Sequence, residues 1–296
     1  IDLFGNRMNF SLEYWNRNSF DLVAYIKDGG LGGQLYKMAN YADLYSWGLD
    51  VTLGGTPIKT KDWRWNLNFT LVYSWNEIRN MKSSPQIFNL VSQTGGNKNG
   101  FPVNSLFSVP FAGLDPDTGA PLYYGPDGSV VTEAYMQSQQ TDYLTYHGPI
   151  DPAYTGGLNS TLSWKNLSLN VFFSYQLGSW VRLNPSFSER YSDLNALSKQ
   201  FKNRWMASDG WFDTNTPSLI ELLKAAELDG YSYNTYNYST ERVARGDFLR
   251  LKTVSLSYEL PSQWVQKSMI LRNASIRATG KDLWLIRSDK ALNGQD

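Results

Sequence analysis

His147 is the only histidine among 296 residues, and there is no cysteine. A single histidine could serve as the base of a Ser-His-Asp triad. It sits, however, in Tyr146-His147-Gly148-Pro149, a turn-forming run that reads as solvated loop. Without cysteine there is no thiol nucleophile, no thiolate zinc site and no disulfide framework. Asp115, Asp117 and Asp127 hint at a calcium loop. Such a loop needs acids at alternate positions, glycine at the sixth and a late glutamate. Gly119 falls one place early and the series stops, so these acids read as turn residues. Asp142 with Asp151, or Glu189 with Asp193, could pair as in a glycosidase. Nothing in the sequence sets the roughly 5–9 Å between carboxyls that this chemistry requires, and all four read as solvated loop charges. Gly29-Gly30-Leu31-Gly32-Gly33 lacks the following Lys-Ser/Thr and helix of a phosphate loop. Two glycosylation sequons, Asn9-Phe10-Ser11 and Asn68-Phe69-Thr70, are by-products of polar–apolar alternation. The sequence therefore points to no enzyme, no catalytic residue, no cofactor and no metal.

Lys plus Arg and Asp plus Glu are 27 each, a net charge of +0. That balance gives no electrostatic reason to expect nucleic acid. Apolar runs such as Leu22–Ile26 fall far short of the roughly 20 residues a transmembrane helix needs. Aromatic content is unusual, with 11 Trp and 19 Tyr against 14 Phe. Trp and Tyr join a polar handle to an apolar body and prefer half-wet places. Protein, sugar and membrane interfaces all qualify, and periodicity chooses among them.

Residues 63–76 alternate. Trp63, Trp65, Leu67, Phe69, Leu71, Tyr73 and Trp75 share one face; Arg64, Asn66, Asn68, Thr70, Val72, Ser74 and Asn76 share the other. A period of two marks a strand with unlike faces. Twelve steps of roughly 3.3 Å take the strand from Trp63 to Trp75. Tilted about 45°, it matches the ~25 Å apolar band of an outer-membrane barrel between its aromatic girdles. Trp63, Trp65, Tyr73 and Trp75 are therefore expected in the girdle against outer-membrane lipid. Arg64, Asn66, Asn68, Ser74 and Asn76 are expected to line the lumen. The same pattern recurs at 7–22, 45–54, 153–164, 167–178, 246–260 and, more weakly, 269–286.

Connections then alternate in length. Short turns fall at Gly5-Asn6, 55–62, Lys165-Asn166 and 261–268; long segments fall at 28–44, 77–152 and 179–245. Outer-membrane barrels pair short periplasmic turns with long extracellular loops. Pro102, Pro110, Pro116, Pro121 and Pro126 argue against crossings within 77–152, where a surface hairpin around 105–125 is expected. A short helix is expected over 217–228, with Leu219, Leu222, Leu223 and Ala226 on one stripe. The fold expected is all-β: an antiparallel transmembrane β-barrel segment. Seven crossings leave open edges that lipid does not tolerate, so a fragment of a larger barrel is expected.

The order and spacing of several motifs resemble the C-terminal barrel region of SusC/RagA-type TonB-dependent outer-membrane transporters. They include Gly5-Asn6-Arg7-Met8 through Tyr14-Trp15 to Asp21-Leu22, Gly48-Leu49-Asp50-Val51, and Gly113-Leu114-Asp115 with Thr118-Gly119-Ala120-Pro121. Pro152-Ala153-Tyr154-Thr155-Gly156-Gly157, Arg204-Trp205, Gly246-Asp247-Phe248-Leu249-Arg250-Leu251 and Asn293-Gly294-Gln295-Asp296 complete the series. Asp50 stands where the family has glutamate. The resemblance implies that residues 1–296 are the C-terminal part of a receptor barrel of 22 strands, with plug, N-terminal extension and N-terminal strands lying elsewhere. It implies active import of oligosaccharides or oligopeptides across the outer membrane of a Bacteroidetes-like Gram-negative bacterium. It also implies a SusD-like surface lipoprotein as partner, and the TonB complex acting through the plug.

The two longest segments are rich in aromatics. Tyr143, Tyr146, Trp205, Trp211 and Tyr236 are the expected contacts with lipoprotein or substrate, since Tyr and Trp are enriched at interface hot spots. A self-contained porin or adhesin barrel would need an even number of strands and a closing terminus. A soluble carbohydrate-binding protein would gather its aromatics in one groove rather than two belts.

Overall fold

The computed structural model describes residues 2–3, 7–27, 36–187, 199–206, 214–219, 231–261, 265 and 273–292. The chain opens with β1 (Asp2–Leu3), β2 (Met8–Lys27), β3 (Tyr36–Lys59) and β4 (Trp63–Arg79). The first long segment holds α1 (Ile87–Leu90), β5 (Ser105–Ser108), β6 (Phe111–Leu114), β7 (Pro121–Tyr124), β8 (Val130–Val131) and β9 (Thr145–Pro149). The hairpin β10 (Tyr154–Trp164) and β11 (Leu167–Leu177) follows, then β12 (Trp180–Arg182), α2 (Tyr231–Tyr236) and β13 (Val243–Arg245). Strands β14 (Phe248–Glu259) and β15 (Ser275–Arg287) complete the described strands.

One eight-stranded sheet runs β1-β2-β3-β4-β10-β11-β14-β15, antiparallel throughout. This is the expected barrel wall: seven long strands lie at the expected places, and β1 is a two-residue stub beside β2. Register follows the side-chain pattern. Along β4 and β10, Trp63 pairs with Trp164, Phe69 with Leu158 and Tyr73 with Tyr154. A slip of one residue would turn every apolar side chain to the other face.

Two expectations need correction. Strands β2 and β3 run to 20 and 24 residues, well beyond 7–22 and 45–54. Residues 36–44 therefore belong to a strand rather than to a long connection. Their pairing continues across irregularities at Ser19/Leu22 and Leu22/Val23, with Asp21 at φ 52°. Main-chain hydrogen bonds survive such a bulge while the side-chain period breaks, so the alternation ended where the ladder did not. The hairpin expected around 105–125 is present as β6 and β7. The helix expected over 217–228 lies mostly outside the described residues.

The buried core sits outside the wall. Ile87, Leu90, Val91, Phe107, Val109, Tyr123, Leu144 and Tyr236 form one cluster drawn from both long segments. Because β4 leaves the wall and β10 re-enters it at the same end where β11 leaves and β14 re-enters, both segments lie at one end of the sheet.

Candidate functional site: a two-faced wall and its loop body

The apolar face carries two aromatic levels. At the short-turn end Trp63 stacks on Trp164 with centroids 5.7 Å apart. The Trp65 indole donates to Ser160 Oγ at 3.0 Å, which satisfies the one polar group that interrupts β10 on this face. At the loop end Tyr14, Trp47, Tyr73 and Tyr154 form a chain of ring contacts at 6.5, 5.1 and 4.8 Å. Between the levels lie Leu53, Leu67, Phe69, Leu71 and Leu158. Phe69 stacks on Tyr175 at 6.1 Å. The Tyr175 ring reaches there across Gly156, where a Cβ would lie 2.5 Å from its hydroxyl. Glycine at 156 is thus needed for close approach.

The opposite face is polar and hydrogen-bonded across strands. Asn170 Nδ2 donates to Asn159 Oδ1 at 2.7 Å and to Thr161 Oγ1 at 2.8 Å. Ser163 meets Ser168 at 3.1 Å, and Ser255 meets Thr279 at 3.0 Å. Thr161, Ser168, Asn170, Ser255, Arg277 and Thr279 line a polar hollow there. Arg64 and Asn66 join through Nε and Oδ1 at 3.3 Å, and Asn66 also accepts from Thr56 Oγ1 at 2.9 Å. Asn68, level with Asn159, is exposed. Ser74 donates its backbone N–H to the Ala153 carbonyl. Asn76 does something the alternation could not show: its Oδ1 accepts the Val103 N–H at 2.7 Å. Ile78, two residues on, is buried and exchanges backbone bonds with Gly100 and Phe101. The first long segment therefore leans on the polar face of β4 at its upper end.

Both long segments fold into one body. Val109 and Thr240 are tied by backbone bonds, as is the Val109 N–H to the Tyr238 carbonyl. The Tyr123 hydroxyl donates to the Ser232 carbonyl at 2.7 Å, and Ser232 Oγ returns a bond to the Pro121 carbonyl at 3.0 Å. At the centre is Arg182, 3% exposed. Its guanidinium donates to the carbonyls of Phe107, Asn237 and Ser239 and to Ser108 Oγ. Burial lowers its pKa to about 10, so it remains a cation at neutral pH. Its acceptors are carbonyl and hydroxyl oxygens, whose dipoles replace the lost water. Sequence reasoning passed over Arg182, because an isolated arginine beside Trp180, Val181 and Leu183 carries no periodic signal.

His147 also needs correction. It is half-buried against Trp180, with ring centroids 5.4 Å apart, and its Nε2 has no partner among the described residues. Burial first, and then the Arg182 charge, push its pKa down to about 4. Asp115 and Asp127 are turn residues: Asp115 Oδ1 accepts from the Asp117 and Thr118 N–H groups, and Asp127 Oδ1 from that of Ser129.

The expected contact residues separate. Tyr146 is exposed and packs edge-on to Phe101 at 4.9 Å. Tyr143 and Trp205 are half-buried. Trp205 lies over Gly119, which has φ +69° and no room for a Cβ, 2.4 Å from the ring. Tyr236 is corrected: at 5% exposed it belongs to the core, its hydroxyl donating to the Asn215 carbonyl. Burial pushes its pKa up to about 12. Trp211 lies outside the described residues.

An antiparallel wall with one apolar and one hydrogen-bonded polar face, girdled by aromatics and carrying a folded body at one end, defines a transmembrane β-barrel segment of the outer-membrane type. No protein-family model matches the chain. TonB-dependent receptors P3 and P26 of Formosa agariphila are 21% and 24% identical to it, each over 96% of the chain. The chain spans 28% and 29% of their lengths. Among solved structures, a chain of the RagAB peptide importer in the closed-closed state is 25% identical, with a TM-score of 0.74 over 97% of this chain and 31% of its own. A second RagAB structure is 24% identical at the same TM-score. Together with the ordered motifs, these likenesses make the chain similar, over nearly its whole length, to a barrel region of the SusC/RagA-type TonB-dependent receptors.

Proposed function

We propose that this chain forms part of the wall and outer rim of an active importer of oligosaccharides or oligopeptides, and that it is the C-terminal part of that importer's barrel. The girdle residues Trp63, Trp65, Tyr73 and Trp75 lie against lipid, and Arg64, Asn66, Asn68 and Ser74 face the lumen. Asn76 shares that face but fastens the loop body to the wall. The short turns are periplasmic and the loop body is extracellular. Energy comes from the TonB complex through a plug that other parts of the receptor supply. The bacterium is Gram-negative and Bacteroidetes-like.

The observation that carries this reading is the pairing of a two-faced wall with a single body built from both long segments at one end. A body with its own core and bonds to β4 offers a fixed surface, as a seat for a SusD-like lipoprotein requires. Tyr146, Tyr143 and Trp205 form the contact surface, and Tyr236 holds it from beneath. The RagAB likeness favours a peptide cargo. A soluble protein is disfavoured because the apolar face leaves Leu12 57%, Tyr14 62% and Trp164 45% exposed. The test is site-specific photo-crosslinking from positions 146 and 205 of the full-length receptor in its native membrane. Crosslinks to a co-expressed surface lipoprotein are expected; crosslinks only to periplasmic proteins would overturn the orientation and the seat together.

A further inference from the structure

We propose that the apolar face holds a seat for one phospholipid, its acyl chain in a dent beside Gly55 and its phosphate at Arg7. The inference rests on the transmembrane reading and concerns the leaflet at the short-turn end. The ladder between β3 and β4 slips between Gly55 and Ile58. Thr56 turns to the polar face, where its hydroxyl donates to Asn66. Gly55 pairs with Leu67 and so occupies an apolar-face position with no side chain. The result is a hollow of about 590 Å³ lined by Met8, Leu53, Pro57, Leu67, Phe69 and Leu158. That volume lies within the roughly 300–1,000 Å³ of small-ligand sites.

A Cβ at Gly55 would meet only the Arg7 carbonyl oxygen, at 3.3 Å, a tight contact that a shift of a few tenths of an ångström relieves. A larger apolar side chain would fill the hollow, and the sequence leaves it empty. Charge sets the occupant. Arg7 stands exposed at the rim. Lys59 and Lys61 are exposed beside it, against the single acid Asp62 in that turn. Along the same edge the Lys165 ammonium lies 5.6 Å from the Trp164 ring. Basic side chains beside interfacial tryptophan mark the headgroup level. A lipid bound here meets hydrocarbon in the hollow and basic residues at its rim.

The test is native mass spectrometry of the delipidated full-length receptor titrated with dioleoylphosphatidylglycerol. Gly55→Leu fills the hollow and Met8→Trp roofs it from a neighbouring strand. Each is expected to weaken the tightest adduct about ten-fold, the value of two lost methylene contacts. Arg7→Gln is expected to weaken it about five-fold and to abolish preference over phosphatidylcholine. Ala278→Leu, on the same face far from the hollow, leaves binding unchanged. Wild-type affinity in both Gly55→Leu and Met8→Trp, or equal binding of phosphatidylcholine to the wild type, would overturn the seat. A receptor that stays monodisperse without detergent would overturn the transmembrane reading instead.

Discussion

The wall and the loop body solve the same problem in opposite ways. The loop body hides its apolar side chains inside: Leu90, Val91 and Val109 have no exposure at all. The wall leaves Leu12, Trp164 and Ile276 outside and buries almost nothing. One region supplies its own apolar interior, and the other borrows hydrocarbon from its surroundings. The wall is held by its backbone ladder, since no water competes for those bonds in a membrane. The body is held by packing and by a few buried polar groups. Substitutions should therefore fail by different rules in the two regions.

The largest effect is expected in the body. Leu90→Ala should cost about 2–5 kcal/mol by opening a cavity. Limited proteolysis of the full-length receptor should show cleavage within 80–152 while the barrel keeps its heat-modifiable mobility. Loss of barrel mobility as well would mean that wall and body are one cooperative unit. Next, Phe69→Lys should cost about 2–4 kcal/mol, because a charge at mid-membrane on the lipid side is expensive. Asn68→Lys, one residue away, should cost little. Urea unfolding in lipid vesicles checks the pair, and equal costs would erase the difference between the faces.

A third effect is confined to the body and depends on pH. His147 has a folded pKa of about 4 against its ordinary 6.5. The unfolded chain therefore takes up a proton that the folded chain refuses. The contribution is fully present above about pH 6.5 and is lost as pH falls towards 4. Melting followed at pH 7 and pH 5 should show the body loosening at the lower pH, and His147→Gln should flatten that dependence. The smallest effect belongs to the girdle. A double-mutant cycle of Trp63→Leu and Trp164→Leu should return a coupling of about 0.5–1.5 kcal/mol. No coupling would mean that the stack seen at 5.7 Å contributes nothing beyond area.

Legibility in the sequence divides along the same line. The wall was readable because its period of two is repeated strand after strand and a membrane punishes exceptions. All seven long strands fell where alternation put them, and only the bulged extensions of β2 and β3 escaped. The body was not readable in that way. Its core joins residues as distant as Ile87 and Tyr236, and no local pattern encodes that. Helix α2, Tyr-Ser-Tyr-Asn-Thr-Tyr, is too short for a periodic signal and owes its place to Ser232, to Tyr233, which packs on Phe187, and to Tyr236 in the core. His147 looked solvated because Gly148 and Pro149 flank it, whereas Trp180 covers it from the other segment.

Arg182 sets a schedule for biogenesis. Its acceptors are Phe107 and Ser108 on one side and Asn237 and Ser239 on the other, up to 75 residues away in the chain. Between the two groups the chain descends and returns once, through β10 and β11. A polypeptide delivered N-terminus first has the earlier acceptors in hand long before the later ones arrive. Contacts of such long range form late. The rim therefore closes only after that hairpin has been made, and until then its apolar residues stand open to whatever chaperone escorts the chain. An insertion machine that stalls within 183–236 would release a wall correct as far as β11, lacking β14 and β15, with a mouth that has never shut.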